Sequence, residues 1–244
     1  MKKHLLLLAS VVAGLTVVTA RAQPGPPTGP SWDGAMAKLF GDHHGFTATM
    51  EFHLPGRNGQ EMTMQGKLAF LEGKARSEMD MSSMLGGNMP PQAAARMKQM
   101  GMSRMISITR RDQNLIYMIY PDMKAYAEMP IPGTNTPASD YKAEVTKLGE
   151  ENVGGHDCVK NKVVATSPDG STHEFTVWNA ADLKQFPVKI QIATKEGKDM
   201  VMVFNDVKLE KPDAALFDPP TDFTKYDSMM SLMMSRARGG APPQ

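Results

Sequence analysis

The chain has 244 residues, and without the three basic side chains of its first 22 positions (Lys2, Lys3 and Arg21) the remaining 222 carry 24 basic against 26 acidic groups, a net charge of −2. That balance excludes a general nucleic-acid binder, which needs a basic surplus gathered on one surface. A single cysteine, Cys158, excludes an internal disulfide, so an exported domain of this size must draw its stability from its core.

Lys2, Lys3 and His4, the apolar run from Leu5 to Val18 and the Ala20-Arg21-Ala22 sequence are the three parts of a secretory signal. Cleavage is expected before Gln23, and with no cysteine at that point the product is expected to be a soluble periplasmic or secreted protein rather than a lipoprotein. Residues 23–41 begin with a Pro/Gly-rich leader, and Trp32 to Phe40 reads as a short helix. From Phe46 to Leu54, apolar Phe46, Ala48, Met50, Phe52 and Leu54 alternate with Thr47, Thr49, Glu51 and His53, the period of a strand with one buried face. A turn over Pro55 to Gly59 leads to a second strand carrying Met62, Met64, Leu68 and Phe70. Leu71-Glu72-Gly73 turns again into a third strand, Lys74 to Met81, giving an antiparallel meander.

Residues 82–102 form a methionine-rich insertion with Gly86, Gly87, Pro90 and Pro91, read as a mobile lid with a helix from Pro91 to Met100. Strands resume at Met105 to Arg110, Leu115 to Tyr120 and Ala125 to Met129, the middle one apolar on both faces and so expected to be covered on both sides. After a linker over residues 130–137, Ser139 is expected to cap a helix on which Tyr141, Val145 and Leu148 share a face and which Gly149 ends. Strands follow at Cys158 to Ala165 and Thr172 to Trp178, then one helical turn from Ala180 to Gln185, and strands at Val188 to Thr194 and Met200 to Leu209. About ten strands in hairpin order with a few short helices predict an α+β fold in a single β domain over residues 42–226. Residues 227–244 read as a flexible tail whose methionines and arginines suit transient contact with a membrane surface.

Several stretches together resemble a known family: Gly66-Lys67-Leu68 with Lys74-Ala75-Arg76, then Leu115 through Tyr126, Trp178 with Asp182 through Lys189, and Phe217-Asp218-Pro219-Pro220. They resemble an uncharacterised family of exported bacterial proteins that is similar to the outer-membrane lipoprotein carriers of the LolA and LolB type. The resemblance implies a strongly curved antiparallel sheet, a half-open β-barrel, with short helices over its concave side, where the carriers hold acyl chains. The chain departs from the carriers by lacking their early arginine-proline pair. What the resemblance carries over is the fold, and the cargo does not follow from it.

The 22 methionines are the most unusual feature of the composition. Thioethers are soft copper(I) ligands, and they are also flexible apolar groups suited to adaptable binding surfaces. The strand alternation favours core or greasy lining, with copper(I) as the alternative. His43-His44, His53 and the His156-Asp157-Cys158 trio match no metal-ligand spacing, and Glu150-Glu151 reads as surface charge beside a turn. No nucleophile elbow, phosphate loop or His-Glu-x-x-His sequence occurs, so no catalytic residue, cofactor or metal is assigned. The expected function is an exported binding or carrier protein whose apolar cleft takes a lipid-like or other hydrophobic ligand, lined by Met50, Phe52, Met64, Leu68, Tyr117, Ile119 and Trp178. A copper(I)-binding protein is the second expectation and an enzyme of unknown type the third.

Overall fold

A computed structural model describes residues 33–55, 61–81, 91–131, 135–193 and 199–237. The expected signal peptide, most of the leader, the turn at 56–59, the first half of the methionine-rich insertion, the turn around 196–198 and the last seven residues lie outside the described residues. Twelve strands form one sheet: β1 (Gly45–Pro55), β2 (Glu61–Leu71), β3 (Lys74–Asp80), β4 (Arg104–Arg110), β5 (Leu115–Tyr120), β6 (Ala125–Pro130), β7 (Lys142–Val153), β8 (His156–Thr166), β9 (Thr172–Ala180), β10 (Phe186–Ile192), β11 (Met200–Lys208) and β12 (Thr224–Tyr226). Among the described residues three α-helices accompany them: α1 (Gly34–Lys38), α2 (Pro91–Gln99) and α3 (Met229–Ala237). The strand order is β12-β6-β5-β4-β3-β2-β1-β11-β10-β9-β8-β7, so two antiparallel meanders, β1 to β6 and β7 to β11, are joined by the β1–β11 pairing. Only β12 runs parallel to its neighbour, and the sheet is open, with β12 and β7 at its edges.

Local chemistry accounts for most of these elements. The β2–β3 hairpin closes Leu71 against Lys74 through Glu72 (φ 50°) and Gly73 (φ 84°), the positive-φ pair that matches the twist of paired strands. Asp33 caps α1, its carboxylate accepting from the Met36 backbone N–H at 2.9 Å. In β1 the expected alternation appears as buried Phe46, Ala48, Met50 and Phe52 against partly exposed neighbours.

One face of the sheet carries an aromatic core under α1. Phe40, just after that helix, lies 5.0 Å from Phe46, 5.5 Å from Phe186 and 5.8 Å from Phe204, ring centre to ring centre. On the same face, beyond β4, Met118, Tyr120, Ala125 and Ala127 pack under Leu232 of α3. The opposite face buries Ala69, Leu71, Ile108, Tyr117 and Ile119 beneath Phe217, which stands on a 3-10 turn at Ala214–Phe217. That turn is tied down by Arg76, donating to the Leu216 carbonyl at 3.1 Å, and by Arg110, which donates to the Phe217 carbonyl at 3.3 Å and pairs with Asp112 and Asp218. Strand β5 is therefore covered on both sides, as its sequence predicts.

Two expected helices are absent, and this makes the fold mostly β rather than α+β. The helix expected from Ser139 to Leu148 is the edge strand β7, whose Val145 and Leu148 are 62% and 53% exposed. Their helical spacing is coincidental, because β7 is held by its backbone ladder to β8 and buries almost nothing that could produce an alternating pattern. The helical turn expected over Ala180 to Gln185 is a non-helical turn in which Lys184 and Gln185 take positive φ (55° and 63°). Strand β12 is three residues long and leaves no periodic signal. The expected flexible tail contains α3, with Leu232 completely buried.

Candidate functional site: a methionine-lined sheet face

Register assembles the site. Across adjacent strands Phe204 faces Met50, Met50 faces Gly66, Gly66 faces Met79, and Met79 faces Met105. The next row holds Met202, Phe52 and Met64. Since side chains two apart on a strand share a face, these rows run a band of thioethers from within the α1-covered core, which holds Met50, Met64, Met79 and Met202, to Met105 beside the α3-covered cluster. Met105 packs against both clusters, and Met81 and Met102 are partly buried beside it.

Beneath α3 the sulfur content rises further. Met118 and Met123 are buried, and Met102, Met105, Met129, Met229 and Met233 pack around them at partial exposure. The Tyr120 hydroxyl lies among these groups, 3.9 Å from Met105 Sδ and 3.6 Å from Met229 Sδ. Burial pushes its phenol pKa up, which keeps it a neutral donor. Helix α3 is held by Leu232, by Arg236 donating to the Met123 carbonyl at 2.7 Å, and by a 3.1 Å contact between the Tyr226 and Ser235 hydroxyls.

The residues expected to line one cleft fall into three places. Met50, Phe52, Met64 and Leu68 do share a face, but they are buried in the core that α1 covers. Tyr117 and Ile119 lie on the opposite face, because Tyr117 pairs with Ile108 and Ile119 with Ile106, one residue out of phase with the methionine rows. The Tyr117 hydroxyl donates to Gln113 Oε1 at 3.0 Å. Trp178 is buried, with the Lys160 and Lys189 ammonium groups 4.9 and 4.4 Å from its ring centre and its Nε1–H donating to Glu151 Oε2 at 2.9 Å. That hydrogen bond is the main cause holding the Glu151 carboxyl below its ordinary pKa. The ring is thus occupied by the protein's own groups.

Met105, Met118, Tyr120 and Met229 are residues whose meeting at one place sequence reasoning did not foresee. Methionine density pointed to their neighbourhood, but their convergence depends on α3 docking from the far end of the chain.

The opposite face carries a groove with two cavities of about 590 and 260 Å³ that share Thr49, Lys67, Glu78 and Asp206. Glu51 and Arg104 line the larger one together with Met50, Met79 and Met105, so this groove mixes both charges with apolar surface. Among the described residues no group of three or more His, Cys, Asp or Glu is placed to hold a metal ion. The His156-Asp157-Cys158 trio disperses: His156 Nδ1 lies 2.7 Å from Asp182, Asp157 accepts from Asn152 at 2.9 Å, and the buried Cys158 thiol donates to the His156 carbonyl. Burial pushes that thiol's pKa up, away from reactivity.

A family model described as a domain of unknown function (DUF4412) matches residues 46–186. No curated protein matches the chain. Among solved structures it is similar to a LolA superfamily protein, NE2245 from Nitrosomonas europaea, with 11% identity over 75% of this chain and 97% of that one and a TM-score of 0.43. A putative outer membrane lipoprotein-sorting protein domain from Vibrio parahaemolyticus shows 12% identity over 76% and 94% of the two chains, with a TM-score of 0.35. The lipoprotein LppX of Mycobacterium tuberculosis shows 11% identity over 71% and 92%, with a TM-score of 0.38.

Proposed function

The chain belongs to the DUF4412 family of unknown function, and from that premise we propose that it is an exported, non-enzymatic binding or carrier protein. It holds a lipid-like or other hydrophobic ligand against the methionine-lined face between α1 and α3. The observation that carries this reading is the run of thioethers that register lays across β1 to β5 and continues beneath α3. Methionine has three rotatable bonds and no branching, so a surface built of it reshapes around apolar guests at low cost. Burying ten methylenes there is worth about 8 kcal/mol before the cost of association, without any charged contact.

A half-open barrel suits this role, and the placement of α1 supports one. The segment of α1 and Phe40 touches β8 and, through Phe70, β2. These strands stand five positions apart, about 24 Å in a flat sheet, so a curled sheet explains how one short segment meets both. The periplasm or the extracellular space is the place of action, following from the leader sequence.

The test has two parts. Mass spectrometry of an organic extract from gently purified protein should identify a bound apolar molecule. A fluorescent fatty acid should bind the wild type, lose affinity in Met105→Glu, whose charge must be desolvated on the proposed floor, and keep it in Lys67→Glu on the opposite face. Absence of probe binding to wild-type protein, or equal binding by both variants, overturns the carrier reading.

A further inference from the structure

The surroundings of the Tyr120 hydroxyl define a second binding chemistry. The side chain is 6% exposed, and among the described residues its hydrogen-bond acceptors are two thioether sulfurs, Met105 Sδ at 3.9 Å and Met229 Sδ at 3.6 Å. Thioethers are weak acceptors, and one hydroxyl proton serves only one of them at a time. The other sulfur therefore turns its lone pairs toward an oxygen with no hydrogen between them. A buried hydroxyl so poorly served is costly, and both sulfurs lie within 4 Å of its oxygen.

We propose that Met105 and Met229 form a soft-cation site, taking copper(I) or silver(I) between their sulfurs beside Tyr120, with the further thioethers of the cluster available to complete coordination. The donor set decides the metal class. Sulfur without carboxylate or imidazole favours a polarisable monovalent ion and rejects zinc, magnesium and calcium, which need nitrogen, thiolate or oxygen ligands. Tyr120 stays a neutral phenol and is not a ligand. Met229 stands on α3 and Met105 on β4, so the ion would also clamp the C-terminal helix to the sheet. This inference does not rest on the carrier reading, because it is argued from the contacts of the Tyr120 hydroxyl and not from an apolar cleft.

Anaerobic titration of the full exported chain with copper(I) against a chelating competitor, and separately with silver(I), tests the site. One equivalent of either ion should be retained while zinc(II) is not. Met105→Leu and Met229→Leu should each weaken retention by about tenfold or more, and the double variant should abolish it. Leucine nearly matches methionine in volume, and circular dichroism of each variant checks that the fold is kept. Tyr120→Phe should leave retention intact, and Met202→Leu in the distant core should do the same. Failure of wild-type protein to retain either ion, retention that survives the double substitution, or loss of retention in Tyr120→Phe would each overturn the proposal. Fluorescent fatty-acid binding measured on the same variants reports on the carrier reading separately.

Discussion

Replacing Leu232 by alanine should release α3 from the sheet without unfolding the domain. Leu232 is completely buried and, among the described side chains of α3, is the only fully buried one, Met229 and Met233 being partly exposed. Leucine-to-alanine changes at such sites cost about 2–5 kcal/mol. A nine-residue helix has little stability of its own and stays formed only while docked, so the loss falls on its local docking equilibrium. At the lower limit, about 2 kcal/mol shifts that equilibrium by a factor of about 30. Hydrogen exchange should therefore show protection across Met229–Ala237 falling by about that factor, while the β1–β2 ladder from Phe46 to Phe52 keeps its own. Uncovering Met118 and Tyr120 should also raise the fluorescence of an apolar dye. Unchanged protection in α3, or an equal loss in β1, would refute the idea that α3 is a separately docked cover.

On the opposite face, Phe217→Ala removes a fully buried ring and should cost about 3–5 kcal/mol, lowering Tm by roughly 6–20 °C for a chain of this size, while Leu216→Ala, partly exposed beside it, should change Tm by only a few degrees. Equal melting of the two variants would mean that the 3-10 turn does not pack as described. Gly66→Ala should destabilise by about 1–3 kcal/mol in chemical denaturation, because the added Cβ would overlap the Glu78 carbonyl oxygen of the neighbouring strand, and a neutral result would contradict that close approach. Asp169 accepts from the Ser167 hydroxyl and from the Ser171 backbone N–H, which hold its pKa at about 2 against an ordinary 3.8. Since the folded-state pKa is depressed, this stabilisation is present above about pH 4 and is lost as pH falls toward 2, so the Ser171 amide shift should titrate near pH 2 and become flat in Asp169→Asn. A midpoint near 3.8 would show that the turn does not hold the carboxylate.

Sequence and structure agree where a pattern is complete within a few residues. The alternation of Phe46, Ala48, Met50 and Phe52, the Glu72-Gly73 turn and the two-faced apolar run of β5 each state their own conformation, because period-two burial and positive-φ turns are local requirements. The shared face of Met50, Phe52, Met64 and Leu68 was legible for the same reason. That they are buried core and not the lining of a cleft was not, since the rings packed in the same core come from Phe40 just after α1, from β10 and from β11.

By itself, then, the chain determined the hairpin order of an antiparallel β domain, read as α+β, the phase of its alternating strands and the wealth of thioether. Tertiary structure alone decided that β1 pairs with β11, that an exposed segment carrying Val145 and Leu148 is an edge strand, and that α3 docks over β5 and β6. The meeting of Met229 with Tyr120 joins residues 109 positions apart, and the edge strand β7 rests on ladder bonds rather than burial. Neither cause writes a periodic signal into neighbouring residues, because the energy comes from contacts with chain far away in sequence.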